Sequence, residues 1–272
     1  FPDVGLFWYH PHVREDYTQQ MGLYGNFLVR PKQKDFYEPV NKELILTLDD
    51  ILLGKDVEHF YKGFTNYAAM GRYGNVMLLN NDPKYSTQVN KGDVVRFFIT
   101  NTANTRTFNF KIQNAKIKVI SGDDSKFEHE FFSDGIIIAP GERIIADIVF
   151  EKSGKQKILN SIPGKDITLG YINVLKSLPK SNLTGQFYTI HKDETVMSEV
   201  DKLKKYKDMP ADKNLKLAVK IKMMNHDTNM SHEYSKIEWE DSMPEMNAMM
   251  TSNEVTWKLI DTDTKKENMD ID

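Results

Sequence analysis

The residues best placed to do chemistry stand near the start of the chain, in Gly5-Leu6-Phe7-Trp8-Tyr9-His10-Pro11-His12. In an extended strand, side chains at i and i+2 share a face about 7 Å apart, so His10 and His12 would project together. Imidazole suits Zn, Cu, Fe and Ni, and paired metals in enzymes sit about 3.5 to 4 Å apart, so the two could serve one ion or one each of two. The alternative is a pair of histidines at a sheet edge, satisfied by water. Pro11 donates no backbone hydrogen bond and predicts an edge or irregular strand. A second concentration of donors lies late in the chain, where Met223, Met224, His226, Met230 and His232 precede Met243, Met246, Met249 and Met250, and eight of the 13 methionines fall between Met223 and Met269. Thioethers with imidazole suit Cu(I). An adaptable loop over apolar surface would use methionine equally well, and the two readings stand side by side. Glu238, Glu240, Asp241 and Glu245 form an acidic collar there, which fits metal attraction or a solvated charged face. His59, His129 and His191 stand alone in polar surroundings and read as solvated surface histidines.

Cysteine is absent. That removes disulfides, thiolate nucleophiles, zinc fingers and any copper site built on a thiolate.

The elements that must position these residues read as strands. Between residues 44 and 175, short runs rich in Val, Ile, Phe and Thr alternate with Gly, Pro, Asn and Asp. Strands are predicted at 44–48, 76–79, 94–100, 107–112, 116–120, 136–138, 143–150, 155–159 and 169–175. Nine strands without a good helix between them predict an antiparallel Greek-key sandwich, with Val95, Phe97, Ile99, Ile137, Ile145 and Ile148 as core candidates. Turns are expected at Asn90-Lys91-Gly92-Asp93 and Ala139-Pro140-Gly141-Glu142, where Gly supplies a positive φ. Residues 177–214 turn polar and Lys-rich, with one amphipathic helix predicted over 198–207, capped by Ser198. Leu215 to Lys222 alternates again and predicts a strand of a further domain.

Composition fits this picture. With 40% hydrophobic and 28% charged residues the chain is an ordinary globular one, not disordered. Thirty-nine acidic against 36 basic residues leave a net charge of -3, which speaks against nucleic acid or an anionic membrane as partner. No apolar run approaches the about 20 residues of a membrane span. Residue 1 is Phe, no signal peptide is visible, and the last six residues trail off after a strand-like stretch. The expectation is a piece cut at both ends.

Residues 5–29, GLFWYHPHVREDYTQQMGLYGNFLV, resemble the second His-X-His motif of multicopper oxidases, the laccase-like family. The resemblance continues through KGDVVRFFITNTANTRTFNF and APGERIIADIVF, similar to strands of that family's second domain. SKIEWEDSMPEMNAMM and VTWKLIDTDTKKENMDID are similar to the entry into its third. It implies an all-β chain of cupredoxin-like Greek-key β-sandwich domains. Residues 1–34 would end a first cupredoxin domain, 35–176 form a second, 177–214 connect, and 215–272 begin a Met-rich third. It further implies copper as cofactor, with His10 and His12 as type 3 ligands, one to each copper. In the complete enzyme the partners would be copper ions, dioxygen and a reducing substrate, either a metal ion such as Cu(I) or a phenol, in an extracytoplasmic compartment. Three of the family's four His-X-His pairs and the type 1 cysteine are missing, so the chain alone is expected to be inactive. The alternative is a non-catalytic cupredoxin-like copper-binding or carrier module.

Overall fold

The computed structural model describes residues 3–55, 66–222 and 237–271. In chain order the elements are β1 (Gly5–Tyr9), α1 (Glu15–Thr18), β2 (Gly25–Val29), β3 (Lys42–Ile51), β4 (Val76–Leu79), β5 (Ser86–Asn90), β6 (Val94–Asn101) and β7 (Phe108–Ile112). There follow β8 (Lys116–Gly122), β9 (Ser125–Ser133), β10 (Ile136–Ile138), β11 (Arg143–Val149), β12 (Gly154–Ile162) and β13 (Lys165–Leu175). The last elements are α2 (Thr184–Phe187), α3 (Glu194–Leu203), β14 (Leu215–Ile221), α4 (Pro244–Met249) and β15 (Val255–Asp261).

Two compact units result, one of residues 1–58 and 73–197, the other of 59–72 and 198–272. In the first, a six-stranded sheet ordered β4-β3-β6-β11-β8-β9 faces a five-stranded sheet ordered β10-β7-β12-β13-β5. The core lies between them and includes Leu46, Leu48, Phe97, Ile99, Phe108, Phe110, Ile148, Phe150, Ile158 and Ile172, all buried. Phe97 holds its centre, with ring centroids 6.3 Å from Phe110 and 6.4 Å from Phe150. This is the cupredoxin-like all-β sandwich the sequence predicted.

Several details differ from expectation. The sheets are not wholly antiparallel, since β3 runs parallel to β6 and β13 parallel to β5. In each case other strands intervene in sequence and supply the crossover that a parallel pair requires. Ile137 is half exposed, because β10 is an edge strand whose period of two sends Ile136 and Ile138 inward instead. Ile145 is buried, but on the outer face of its sheet with Leu6, Phe98 and Ile120. The two glycine turns form as read, with Gly92 at φ 86° and Gly141 at φ 80°. The connector helix starts earlier than predicted. Asp193 Oδ1, not Ser198, accepts the free backbone N–H groups of Thr195 and Val196, both at 3.1 Å.

All eight residues of β6 are buried, so both of its faces are covered. On the outer face Arg96 donates twice to Asp147 at 2.8 Å, and donates also to the Glu38 carbonyl while lying under the Tyr37 ring. Burial pushes the Asp147 carboxyl above its ordinary value, and the paired guanidinium opposes that shift.

In the second unit, β14 pairs antiparallel with β15 over seven residue pairs. Asn247 of α4 is buried and donates to the Gly71 carbonyl at 2.7 Å and to Asp241 at 2.8 Å. Trp257 Nε1 donates to the Ala68 carbonyl. No helix among the described residues is long and apolar enough to cross a membrane.

Candidate metal centre

Strand β1 pairs with β2 in a two-stranded sheet, with Gly5 opposite Val29 and Tyr9 opposite Gly25. One face of this hairpin is anchored to the sandwich. Leu6 is fully buried with Phe98, Ile120 and Ile145, and Leu28 packs on the same cluster. Arg143 fixes the strand by donating Nε–H to the Leu6 carbonyl at 3.0 Å while pairing with Asp123, also at 3.0 Å. Thr100 Oγ1 donates to Asn26 at 2.7 Å from the side of β2.

The strand stops at Tyr9, so His10 and His12 lie just beyond it rather than within it. Pro11 has no N–H to continue the ladder. The two imidazoles nevertheless lie together. Trp8 stacks on His10 with centroids 4.3 Å apart, and His10 stacks on His12 at 4.9 Å. Trp8 also lies against the turn at Gly141, where an added Cβ would be 3.7 Å from its ring. Nδ1 of His10 is buried and has no hydrogen-bond partner. A buried polar atom left unpaired costs free energy unless something binds it, and a metal ion would. His12 is exposed, and its Nδ1 lies 3.1 Å from Oε1 of Glu15 on α1. The donors of His10, His12 and Glu15 all fall within 4.8 Å of one another. Two imidazoles with a carboxylate at hand fit copper.

Glu15 did not figure in the sequence reading. Its signal was the spacing His-X-His-X2-Glu, legible only once α1 turns the chain back beneath the histidines. Helix α1 begins after Arg14, held at φ 50° and forked onto Asp16 by two 3.0 Å hydrogen bonds. The segment that follows ties the motif to the sandwich. Gln19 donates to the Thr102 carbonyl at 2.7 Å and Asn104 donates to Gln20 at 3.2 Å. The Tyr24 hydroxyl donates to Asp49 at 2.6 Å and lies 2.6 Å from the Asn81 amide. Burial, and then the Asp49 charge, push the Tyr24 phenol above its ordinary value.

The other sequence candidates distribute differently. Met223, Met224, His226, Met230 and His232 lie outside the described residues, as does His59. His129 is exposed, as expected for a surface histidine, whereas His191 is half-buried with Nε2 3.7 Å from Glu38. Of the acidic collar, Asp241 is occupied locally, accepting from the Met243 N–H and from Asn247 at the start of α4.

Residues 42–158 match the family model described as multicopper oxidase. The histidine pair lies ahead of that span. Laccase-7 of Arabidopsis thaliana is 26% identical over 162 residues, covering 55% of this chain and 28% of the plant protein. Among solved structures, a multicopper oxidase of Pseudomonas thermotolerans superposes with a TM-score of 0.55 at 23% identity, over 65% of this chain and 42% of that one. A variant of the McoA multicopper oxidase of Aquifex aeolicus gives a TM-score of 0.57 at 21% identity, over 66% and 44%. At such identities the superpositions establish the fold. The chain thus spans less than half the length of each of these relatives. Residues 42–158 are thus similar to a multicopper oxidase domain, and that family implies copper as its cofactor.

Proposed function

We propose that this chain is a portion of a multicopper oxidase that couples one-electron oxidation of a substrate to four-electron reduction of dioxygen to water. His10 and His12 would then serve a type 3 copper pair, one histidine to each ion. The observation that carries the reading is the buried, unpartnered Nδ1 of His10, stacked between Trp8 and His12 on a hairpin docked to the multicopper oxidase domain. Copper supplies the one-electron redox chemistry when bound. The chain's own residues would hold and orient it. Stacking on Trp8 restricts rotation of the His10 ring, and Leu6 with Arg143 fixes the strand that carries both.

As reducing substrate, a metal ion such as Cu(I) fits better than a phenol, because Met223, Met224, His226, Met230 and His232 offer soft donors for a cuprous ion. On this reading the 1–34 segment belongs with a preceding cupredoxin domain, and the compartment is extracytoplasmic. A second reading, a non-catalytic copper-binding module, is favoured by one sequence fact, the absence of cysteine. Without a thiolate these residues cannot form a type 1 centre by themselves.

Copper loading separates the readings. The chain alone should show no intense band near about 600 nm, where thiolate-bound Cu(II) absorbs, and no oxygen uptake with Cu(I) or a phenolic dye. Expressed with the rest of its reading frame it should show both. Replacing His10 by Ala in that longer protein should abolish oxygen uptake and spare the band. Oxygen uptake unchanged by His10→Ala would overturn the oxidase assignment of this residue.

A further inference from the structure

The two histidines are held by different means. The His10 ring stacks on Trp8 with centroids 4.3 Å apart, and its Nδ1 is buried with no hydrogen-bond partner. The His12 ring stacks on His10 at 4.9 Å but leaves 80% of its side chain exposed, and its Nδ1 lies 3.1 Å from Oε1 of Glu15. A carboxylate only accepts, so a neutral imidazole in that contact carries its proton on Nδ1. Its lone pair then stands on Nε2. On the reading of His10 and His12 as ligands of two separate coppers, we infer that Glu15 is a positioning residue for His12. By accepting the Nδ1–H it fixes the tautomer and ring orientation that leave Nε2 free for copper, and it binds no metal itself.

A histidine that ligates a metal almost always donates its other ring N–H to a carboxylate, a carbonyl or water, and that bond decides which nitrogen is left for the metal. His10 is oriented by its stack on Trp8. His12 is the exposed one of the two, and an exposed ring without such a bond exchanges tautomers and rotates, an entropy that metal binding must then remove. The contact with Glu15 removes it beforehand. Stability does not explain the contact, since an exposed pair of this kind contributes little. The backbone of Glu15 is tied separately, its carbonyl accepting the Gln19 N–H at 3.1 Å, so a change of side chain leaves that bond in place. The reach comes from the local fold: Arg14, at φ 50° and forked onto Asp16, turns the chain into α1 and brings the residue three beyond His12 back beside its ring.

Long-range proton–nitrogen correlation spectra of the metal-free 272-residue chain, recorded at about pH 8 where an ordinary imidazole is neutral, read the His12 tautomer directly, with His12→Ala assigning its signals. The wild type should carry the proton on Nδ1. In Glu15→Ala the signals should move to those of an unpaired imidazole exchanging both forms. Glu15→Gln, whose amide oxygen still accepts, should restore the Nδ1–H form at least in part. Circular dichroism should match the wild type in both. In the longer protein, competition with a copper chelator should show copper held about 10- to 100-fold more weakly in Glu15→Ala, with Glu15→Gln between it and the wild type. A His12 tautomer unchanged in Glu15→Ala would overturn the positioning role and leave the copper reading of the histidines intact. A shifted tautomer with unchanged copper affinity would overturn that role equally. Copper affinity unchanged in both His12→Ala and Glu15→Ala would overturn the copper reading of His12 itself, and the role of Glu15 with it.

Discussion

Strands β6 and β14 are both rich in apolar residues, yet they end in opposite environments. Every residue of β6 is buried, whereas Leu215 and Leu217 of β14 remain about half exposed. Strand β6 is paired on both edges, by β3 and β11, whereas β14 pairs on one edge only, with β15. Cover differs as well. One face of β6 packs on the opposing sheet through Val95, Phe97 and Ile99. The other lies beneath the β1–β2 hairpin and residues 37–40, with Phe98 against Leu6 and Arg96 held by Asp147 and the Glu38 carbonyl. Hydrogen-bonded pairing makes a strand, and burial of its side chains makes it contribute to stability.

The sharpest way to break that contrast is to delete one side chain from each strand. Phe97→Ala should destabilise the sandwich by about 3 to 5 kcal/mol, the range for a large aromatic removed from a packed core. Leu217→Ala should fall within about 0.5 kcal/mol, as for surface substitutions. Urea unfolding followed by circular dichroism reads both, and equal losses would mean that exposure does not govern their difference. Ion pairs extend the comparison. Arg96→Met leaves the Asp147 carboxylate buried without its bidentate partner, at a cost of about 3 to 5 kcal/mol. Lys258→Met removes a partner from Glu267 in the second unit, where both groups are partly solvated, and should cost at most about 1 kcal/mol.

The sequence made the strands legible where an apolar run is framed by turn residues, even at a sheet edge, and less so where polar residues dominate the strand. Val76–Leu79 and Ile136–Ile138 matched their predicted bounds, because apolar runs framed by turn residues leave little choice. Strands β5 and β9 went unread. Ser86-Thr87-Gln88-Val89-Asn90 buries only Val89, and Ser125 to Ser133 is an edge strand mixing Lys, Glu and His with Phe. The pairing of β5 comes from β13, distant in sequence, and β9 is held in a hairpin by β8 despite its polar composition, so in neither does the local residue pattern mark the strand. At the candidate site the histidine pair was visible from its spacing. Glu15 was not, because its proximity to His12 depends on a four-residue helix entered through a left-handed Arg14. Trp8 was visible only as part of a motif, and its stacking on His10 follows from the strand ending at Tyr9.

The two units should also part company along the pH axis. In the sandwich, burial raises the phenols of Tyr24, Tyr37 and Tyr85 above their ordinary value. Above about pH 10 the unfolded chain releases these protons while the folded unit retains them, so the folded state binds more protons and stability falls as pH rises. The contribution is fully present below pH 10. In the second unit the shifts run the other way. Hydrogen bonds from Thr251 lower the Glu254 carboxyl, and the backbone N–H groups of Thr264 and Asp263 lower that of Asp261. Those groups favour the folded state above about pH 4, and the gain is lost as pH falls through their depressed values. Urea midpoints measured from pH 3 to 11 should therefore show an alkaline loss in the sandwich and an acid loss in the second unit. Tyr24→Phe makes the alkaline arm specific: it should cost about 1 kcal/mol at pH 7, through the lost bond to Asp49. Above pH 10 its stability should fall less steeply, by at most about 1.4 kcal/mol for each pH unit, the limit for one proton. A variant whose alkaline slope matches the wild type would show that Tyr24 ionises in the folded state as freely as in the unfolded one.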